Sequence, residues 1–127
     1  MTAWTSDELD RIGAADELRI AARRKDGTLR TPRIIWVVRY GDDLYVRSAH
    51  GEGAAWYRGT RATEEGWIES AGIEKDVILE PGGGQHDAEI DAAYWAKYKK
   101  YPAQYVEPVT DDVSHATTIR LVPKATS

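Results

Sequence analysis

Four groups of residues in this chain carry side chains that could do chemistry. The stretch RRKDGTLRTPR, residues 23–33, concentrates cations, and SAHGEG, residues 48–53, forms a Ser-His-Gly loop. Trp56 and Tyr57 follow that loop, and Tyr94, Tyr98, Tyr101 and Tyr105 recur late in the chain. An arginine fork holds phosphate or carboxylate through two parallel hydrogen bonds, and Trp or Tyr stacks on a flat ring while keeping a polar tip. Together the four groups suit an anionic, planar ligand. The charge distribution agrees: in residues 19–61 ten Arg and Lys face four Asp and Glu, a net of +6, which leaves −10 for the rest of a chain whose net charge is −4.

Each group also has a purely structural use. Tyr94, Tyr98 and Tyr101 at helical spacing make a core or dimer stripe, and Trp56 with Tyr57 can plug the end of a barrel. Arg30, Arg33, Arg39 and Arg47 alternate with other residues as the exposed face of a strand does.

Other chemistries are excluded or disfavoured by what is missing. With no cysteine, the chain has no disulfide, thiolate metal site or cysteine nucleophile. His50, His86 and His115 lie 36 and 29 positions apart, far from the local spacing of a metal pair, so no metal site is expected. Glu64 and Glu65 sit beside turn residues rather than in an apolar setting that would raise a carboxyl pKa. No Gly-x-Ser-x-Gly elbow occurs, and Gly82-Gly83-Gly84 lacks the Lys-Ser/Thr of a phosphate loop. A net charge of −4 argues against nucleic acid as a partner. No run approaches the roughly 18 apolar residues of a membrane span. The opening MTAWTSDELDRIG has neither a basic start nor an apolar run, which gives a cytoplasmic reading.

At 127 residues the chain has the length of a single domain. An N-terminal helix within residues 1–15 is signalled by Thr5 and Glu8 at capping-box spacing. Barrel strands are expected over residues 17–80, with turns at Asp26-Gly27, Gly41-Asp42-Asp43 and Ala71-Gly72. The continuous apolar run IIWVV, residues 34–38, predicts one central strand buried on both faces. Residues 54–61 allow about two helical turns. An amphipathic helix over residues 87–101 has acids at its start, lysines at its end and Pro102 beyond it. A closing strand covers residues 117–122. The pattern is mainly β (α+β): a small antiparallel barrel of about six strands with peripheral helices, an open sheet being the alternative.

The order of these elements, from RKDGTLRTPRIIWVVRYGDDLYVRSAHGEGAAWYRG to the later DAAYWAKYKKYPAQYVEP, resembles the split β-barrel superfamily of flavin- and deazaflavin-dependent oxidoreductases, in particular its deazaflavin-dependent nitroreductase branch. The likeness extends to an uncharacterised actinobacterial group of that superfamily. It implies a split barrel, a homodimer and a cofactor that is deazaflavin (coenzyme F-420) or FMN. Arg24, Lys25, Thr28 and Arg30 would lie near the cofactor's phosphate-bearing tail. Ser48, His50, Gly51 and Trp56 would shape the loop around the phosphate or ring. Tyr98, Tyr101 and Tyr105, with Ser48, would serve catalysis by facing a small planar substrate during hydride transfer. Asp26 stands where such relatives place Ser or Thr and would repel a phosphate unless an arginine intervenes. Two alternatives stay open: a non-catalytic binder of flavin, haem or a similar ring, and a dimeric interaction domain.

Overall fold

The computed structural model describes residues 3–124. Helix α1 (Ser6–Ala14) starts where local chemistry requires. Thr5 Oγ1 accepts from the Glu8 amide at 3.1 Å while the Glu8 carboxylate accepts from the Thr5 amide at 2.9 Å. Strands β1 (Leu18–Ala22), β2 (Arg33–Ile35), β3 (Val38–Tyr40), β4 (Asp43–Val46), β5 (Glu65–Ser70), β6 (Ile73–Pro81) and β7 (Ile119–Pro123) form one sheet in the order β2-β1-β5-β6-β7-β4-β3. Every neighbouring pair is antiparallel. The β5–β6 hairpin turns on Ala71 and Gly72, both at positive φ, the backbone that a two-residue hairpin needs.

The apolar run at residues 34–38 is not the single central strand expected from its composition. It is divided between β2 and β3, which are the two edges of the sheet. Only Trp36 and Val37 join them, so the sheet must curl until its ends approach one another. That join makes seven strands of the expected six and leaves a split in the barrel wall. The run is apolar because its residues serve different environments. Val37 is buried in the barrel core, Val38 packs under a helix on the outer face, and Ile34 is 64% exposed on the free edge.

Inside the barrel Leu18, Ile20, Leu44, Val46, Ile68, Leu79 and Leu121 meet Leu9 and Ile12 of α1. Helix α2 (Ala55–Thr63) contributes Tyr57 to the same core. A second core forms outside the sheet, where Ile90, Tyr94 and Tyr98 of α3 (Asp87–Tyr98) cover Val38 and Tyr45. Strand β4 is therefore buried on both faces, a pattern that period-two alternation alone does not foresee. Short helices α4 (Ala103–Val106) and α5 (Asp112–His115) lead into β7. The protein is mainly β with peripheral helices. No described helix is long and apolar enough to cross a membrane.

Candidate functional site

The split between β2 and β3 faces the loop that follows β4, and a cleft lies between them. Loop geometry fixes its wall. The Ser48 amide donates to Thr117 Oγ1 at 2.9 Å, and Ser48 Oγ accepts from the His50 amide at 3.3 Å. Gly51 adopts φ +69°, and a Cβ there would lie 2.9 Å from Val113 Cγ1, so the position suits glycine twice over. Helix α2 then begins at Ala55 with no side-chain cap from Ala54. The amides of its first turn are left without acceptors in the helix and carry the positive end of its dipole.

The cleft has a volume of about 340 Å³ and is walled by Ile35, Trp36, Trp56, Tyr105 and Val109, with Arg33, Ile34 and His50 at its rim and Arg47 beneath it. A second recess of about 570 Å³ adjoins it through Arg33, His50 and Trp56 and reaches Gly53, Ala54 and Ala55 at the start of α2. Both volumes fall in the roughly 300–1,000 Å³ range of small-molecule sites. Arg33 and His50 thus border both chambers; the first is otherwise mainly aromatic and apolar, and the second reaches the uncapped amides of α2. Neither Arg33 nor His50 has a side-chain hydrogen-bond or ion-pair partner among the described residues.

Arg47, which alternation assigns to an exposed face, is instead fully buried. Its Nη1 donates to Asp91 and, at 2.8 Å, to the Val109 carbonyl, while Nε donates to Thr118 Oγ1 at 2.9 Å. Asp87 lies 3.7 Å from Nη2, and the guanidinium stands 5.7 Å from the centre of the Tyr94 ring. His115 Nε2 sits within 2.9 and 3.0 Å of the two Asp91 oxygens. This network ties β4, α3, α5 and the segment before β7 together beneath the cleft. Sequence reasoning missed it because Asp91 and His115 lie 44 and 68 positions beyond Arg47.

The structure brings His50, Trp56 and Tyr105 to the cleft, with Ser48 and Gly51 shaping the loop behind it. Arg24, Lys25 and Thr28 do not line it. Their hairpin satisfies itself: Asp26 accepts from the Thr28 amide at 3.0 Å and hydroxyl at 2.7 Å, and Arg24 donates to Thr28 Oγ1 and to the Leu29 carbonyl. The Thr28 hydroxyl lowers the pKa of Asp26, with Thr28's amide and the charge of Arg24 adding to it. Lys25 is exposed on the turn. Arg30 lies against Gly59 of α2, and its buried Nε has no hydrogen-bond partner among the described residues.

The three tyrosines separate. Tyr98 is fully buried, and its hydroxyl accepts from the Val37 amide at 3.1 Å and donates to the Asp16 carbonyl at 2.6 Å. Burial raises its pKa, so the phenol stays protonated. Its ring stacks on Trp36 with centroids 3.9 Å apart and planes 4° from parallel. Tyr98 therefore positions Trp36 rather than meeting the cleft. Tyr101 lies 5.4 Å from Trp36, ring to ring, and its hydroxyl donates to Asp16. Tyr105 is 56% exposed at the mouth. A Tyr98→Phe chain is expected to lose about 1–3 kcal/mol of stability in urea unfolding, because the Val37 amide is left unpaired. Ligand affinity at the cleft should change less than twofold, since the stacked ring remains.

Residues 8–121 match the family described as uncharacterized protein conserved in bacteria (DUF2255). No curated protein matches the chain. Among solved structures, a putative pyridoxamine 5'-phosphate oxidase from Listeria innocua is similar with a TM-score of 0.60 at 15% identity, covering 92% of this chain and 90% of that one. An F420 reductase is similar with a TM-score of 0.53 at 17% identity, covering 93% and 92%. HutZ, the heme storage protein of Vibrio cholerae, has a TM-score of 0.61 at 9% identity, covering 95% and 91%. At these identities the likeness is one of fold.

Proposed function

With the chain belonging to the DUF2255 family of uncharacterized proteins conserved in bacteria, we propose that its cleft binds a flat, anionic redox cofactor, FMN or a deazaflavin such as coenzyme F-420, and reduces a small planar acceptor. The observation that carries this reading is the joining of two chambers across Arg33, His50 and Trp56, one extending to Trp36 and the other to the uncapped start of α2. The donor set fits the group. Arg33 is a cation with no acceptor among the described residues, beside helix amides that also need one, and a phosphate satisfies both.

When bound, such a cofactor supplies the hydride. The chain's own residues bind and orient. Trp36, held by Tyr98, and Trp56 would face the ring, while Arg33 and His50 would hold the tail with the amides of Ala55 and Trp56. Arg30, whose Nε lacks a partner, stands one helical turn further along α2 as a further cation for an extended tail. Tyr105, at the mouth, would donate a hydrogen bond to an oxygen of the acceptor. Val109 and Ile35 would exclude water from one side.

A second reading, a binder of flavin or haem without turnover, is favoured by the sealed hydroxyl of Tyr98. That phenol is bonded to backbone on both sides and has no proton to offer an acceptor. The relatives of similar fold include both an F420 reductase and a heme storage protein. Parallel fluorescence titrations with FMN, coenzyme F-420 and haemin discriminate the readings. Saturable micromolar binding of FMN or coenzyme F-420, followed by oxidation of the reduced form on adding nitroaromatic or quinone acceptors, supports a reductase. Binding without turnover supports the second reading, and binding of none removes both.

We extend the proposal to a homodimer, because Ile34 leaves an apolar side chain 64% exposed on the free edge of β2. Sedimentation should report twice the chain mass at micromolar concentration, and a monomer would remove this extension.

A further inference from the structure

Lys97 lies on the last turn of α3 with its side chain half-buried. Its Nζ donates to the Val37 carbonyl at 2.6 Å and stands 5.2 Å from the centre of the Tyr98 ring. No carboxylate lies within ion-pair distance of it among the described residues. Asp16, the acid that acts on it through space, is held by Lys100 at 2.6 Å. Lys97 is thus an ammonium partly withdrawn from water, with a neutral carbonyl for its partner and a second ammonium, Lys100, just beyond the end of the helix.

The other five lysines differ. Lys75 pairs with Glu8 at 3.0 Å, Lys124 pairs with Glu65, and Lys100 pairs with Asp16. Lys25 and Lys99 are exposed, where water stabilises the charged form. Ion pairing and hydration both keep an amine protonated, and desolvation without a counter-charge does the reverse.

We propose that Lys97 is an acyl-acceptor site, at which small activated acyl groups such as acyl phosphates or carboxylic anhydrides modify the chain. The neutral amine's lone pair forms the new N–C bond to the acyl carbon. The C–O bond to the phosphate or carboxylate leaving group breaks and that group keeps the electron pair. The surplus proton on nitrogen passes to water, leaving a neutral amide. Half-burial leaves part of the side chain within reach of a small reagent. The charge lost is one that sits at the joint between β2 and β3. Burial, with the neighbouring Lys100 charge adding and Asp16 opposing, lowers the Lys97 pKa to about 8, so at any pH below it the neutral fraction exceeds that of an exposed lysine.

The test is limited acetylation of the folded chain with acetic anhydride between pH 6 and 10, each of the six lysines being followed by peptide mass spectrometry. Lys97 is expected to react about tenfold faster than Lys25 and Lys99 at pH 8, since an exposed lysine with a pKa near 10.4 is less than about 1% neutral there. Its rate should level off above pH 8 while theirs keep rising. In denaturing urea the rates should converge. A Lys97 rate no greater than that of Lys25, or an advantage that persists in urea, overturns the assignment. A Lys97→Arg chain should lose the fast-reacting site and keep its unfolding midpoint within experimental error.

Discussion

An Arg47→Met chain is expected to lose about 3–5 kcal/mol of folding stability, the range for removing one partner of a buried ion pair. Among the described residues, Arg47 is the one cation whose side chain is wholly withdrawn from water, with 0% of its side-chain surface exposed. Its removal takes a donor from Asp91, the Val109 carbonyl and Thr118 Oγ1 at once. Asp91 keeps His115, and its side chain remains 25% exposed, so water recovers part of the loss. An Asp91→Asn chain should lose less, because the amide oxygen still accepts and Asp87 remains near the guanidinium. Converting both partners at once, Arg47→Met with Asp91→Leu, should cost less than Arg47→Met alone, since no unpaired carboxylate is then left facing the buried site. Urea unfolding of the four chains measures all of this. An Arg47→Met chain within about 1 kcal/mol of the parent would place the network among merely exposed ion pairs.

The second large effect concerns binding. A Trp56→Ala chain should bind its cofactor about 10- to 100-fold more weakly, the loss of about 1–3 kcal/mol that removing a stacked aromatic produces. Trp56 is half-buried and borders both chambers. Its neighbour Tyr57 carries the packing into the barrel core, so the fold should survive the change. Trp95 is the internal control: it is 39% exposed on α3 and lines neither chamber. Trp95→Ala should leave the affinity unaltered, and equal losses from the two substitutions would remove the cleft as the binding site.

What could be read from the sequence was what local chemistry decides. The Thr5 to Glu8 capping box, the Ala71-Gly72 turn and the acid-to-lysine gradient along α3 each lie within one short stretch of chain, so their signal is written in nearby letters. Residues 34–38 show the limit. Their apolar run states that the residues are wanted in cores but not which cores, and closure of the barrel, which assigns Val37 inward and Val38 outward, depends on α3 sixty positions later. The same helix explains Arg47. Alternation correctly put it opposite Val46, but a helix that covers the outer face of β4 turned an expected surface cation into a buried one.

The candidate site divides in the same way. The loop at residues 48–53 was legible because a histidine between small residues after a strand leaves backbone and side chain free for a ligand. Arg33 carries no site signal in the sequence because it alternates like an exposed strand residue, and only its place at the free edge, after Pro32, sets it with His50 at the cleft. Arg24, Lys25 and Thr28 look alike in sequence as donors for a phosphate. In the folded hairpin, hydrogen bonds within five residues engage Nη1 of Arg24 and both the amide and hydroxyl of Thr28, which no composition count can foresee. The tyrosines share a helical spacing, yet Tyr98 is drawn into the core while Tyr105, beyond the break at Pro102, remains at the surface.

The central claim is a location, and the five tryptophans allow it to be tested as one. In a ¹H–¹⁵N correlation spectrum each indole gives its own Nε1–H signal, and FMN or coenzyme F-420 can be titrated in while all are watched. Trp36 and Trp56 should shift together with the amides of Ala55, Trp56 and Tyr57. Trp4, whose indole donates to the Leu121 carbonyl at 2.9 Å, should stay in place, as should Trp67 and Trp95. Shifts confined to the hairpin at residues 23–29, or no shift with either cofactor, would contradict the account.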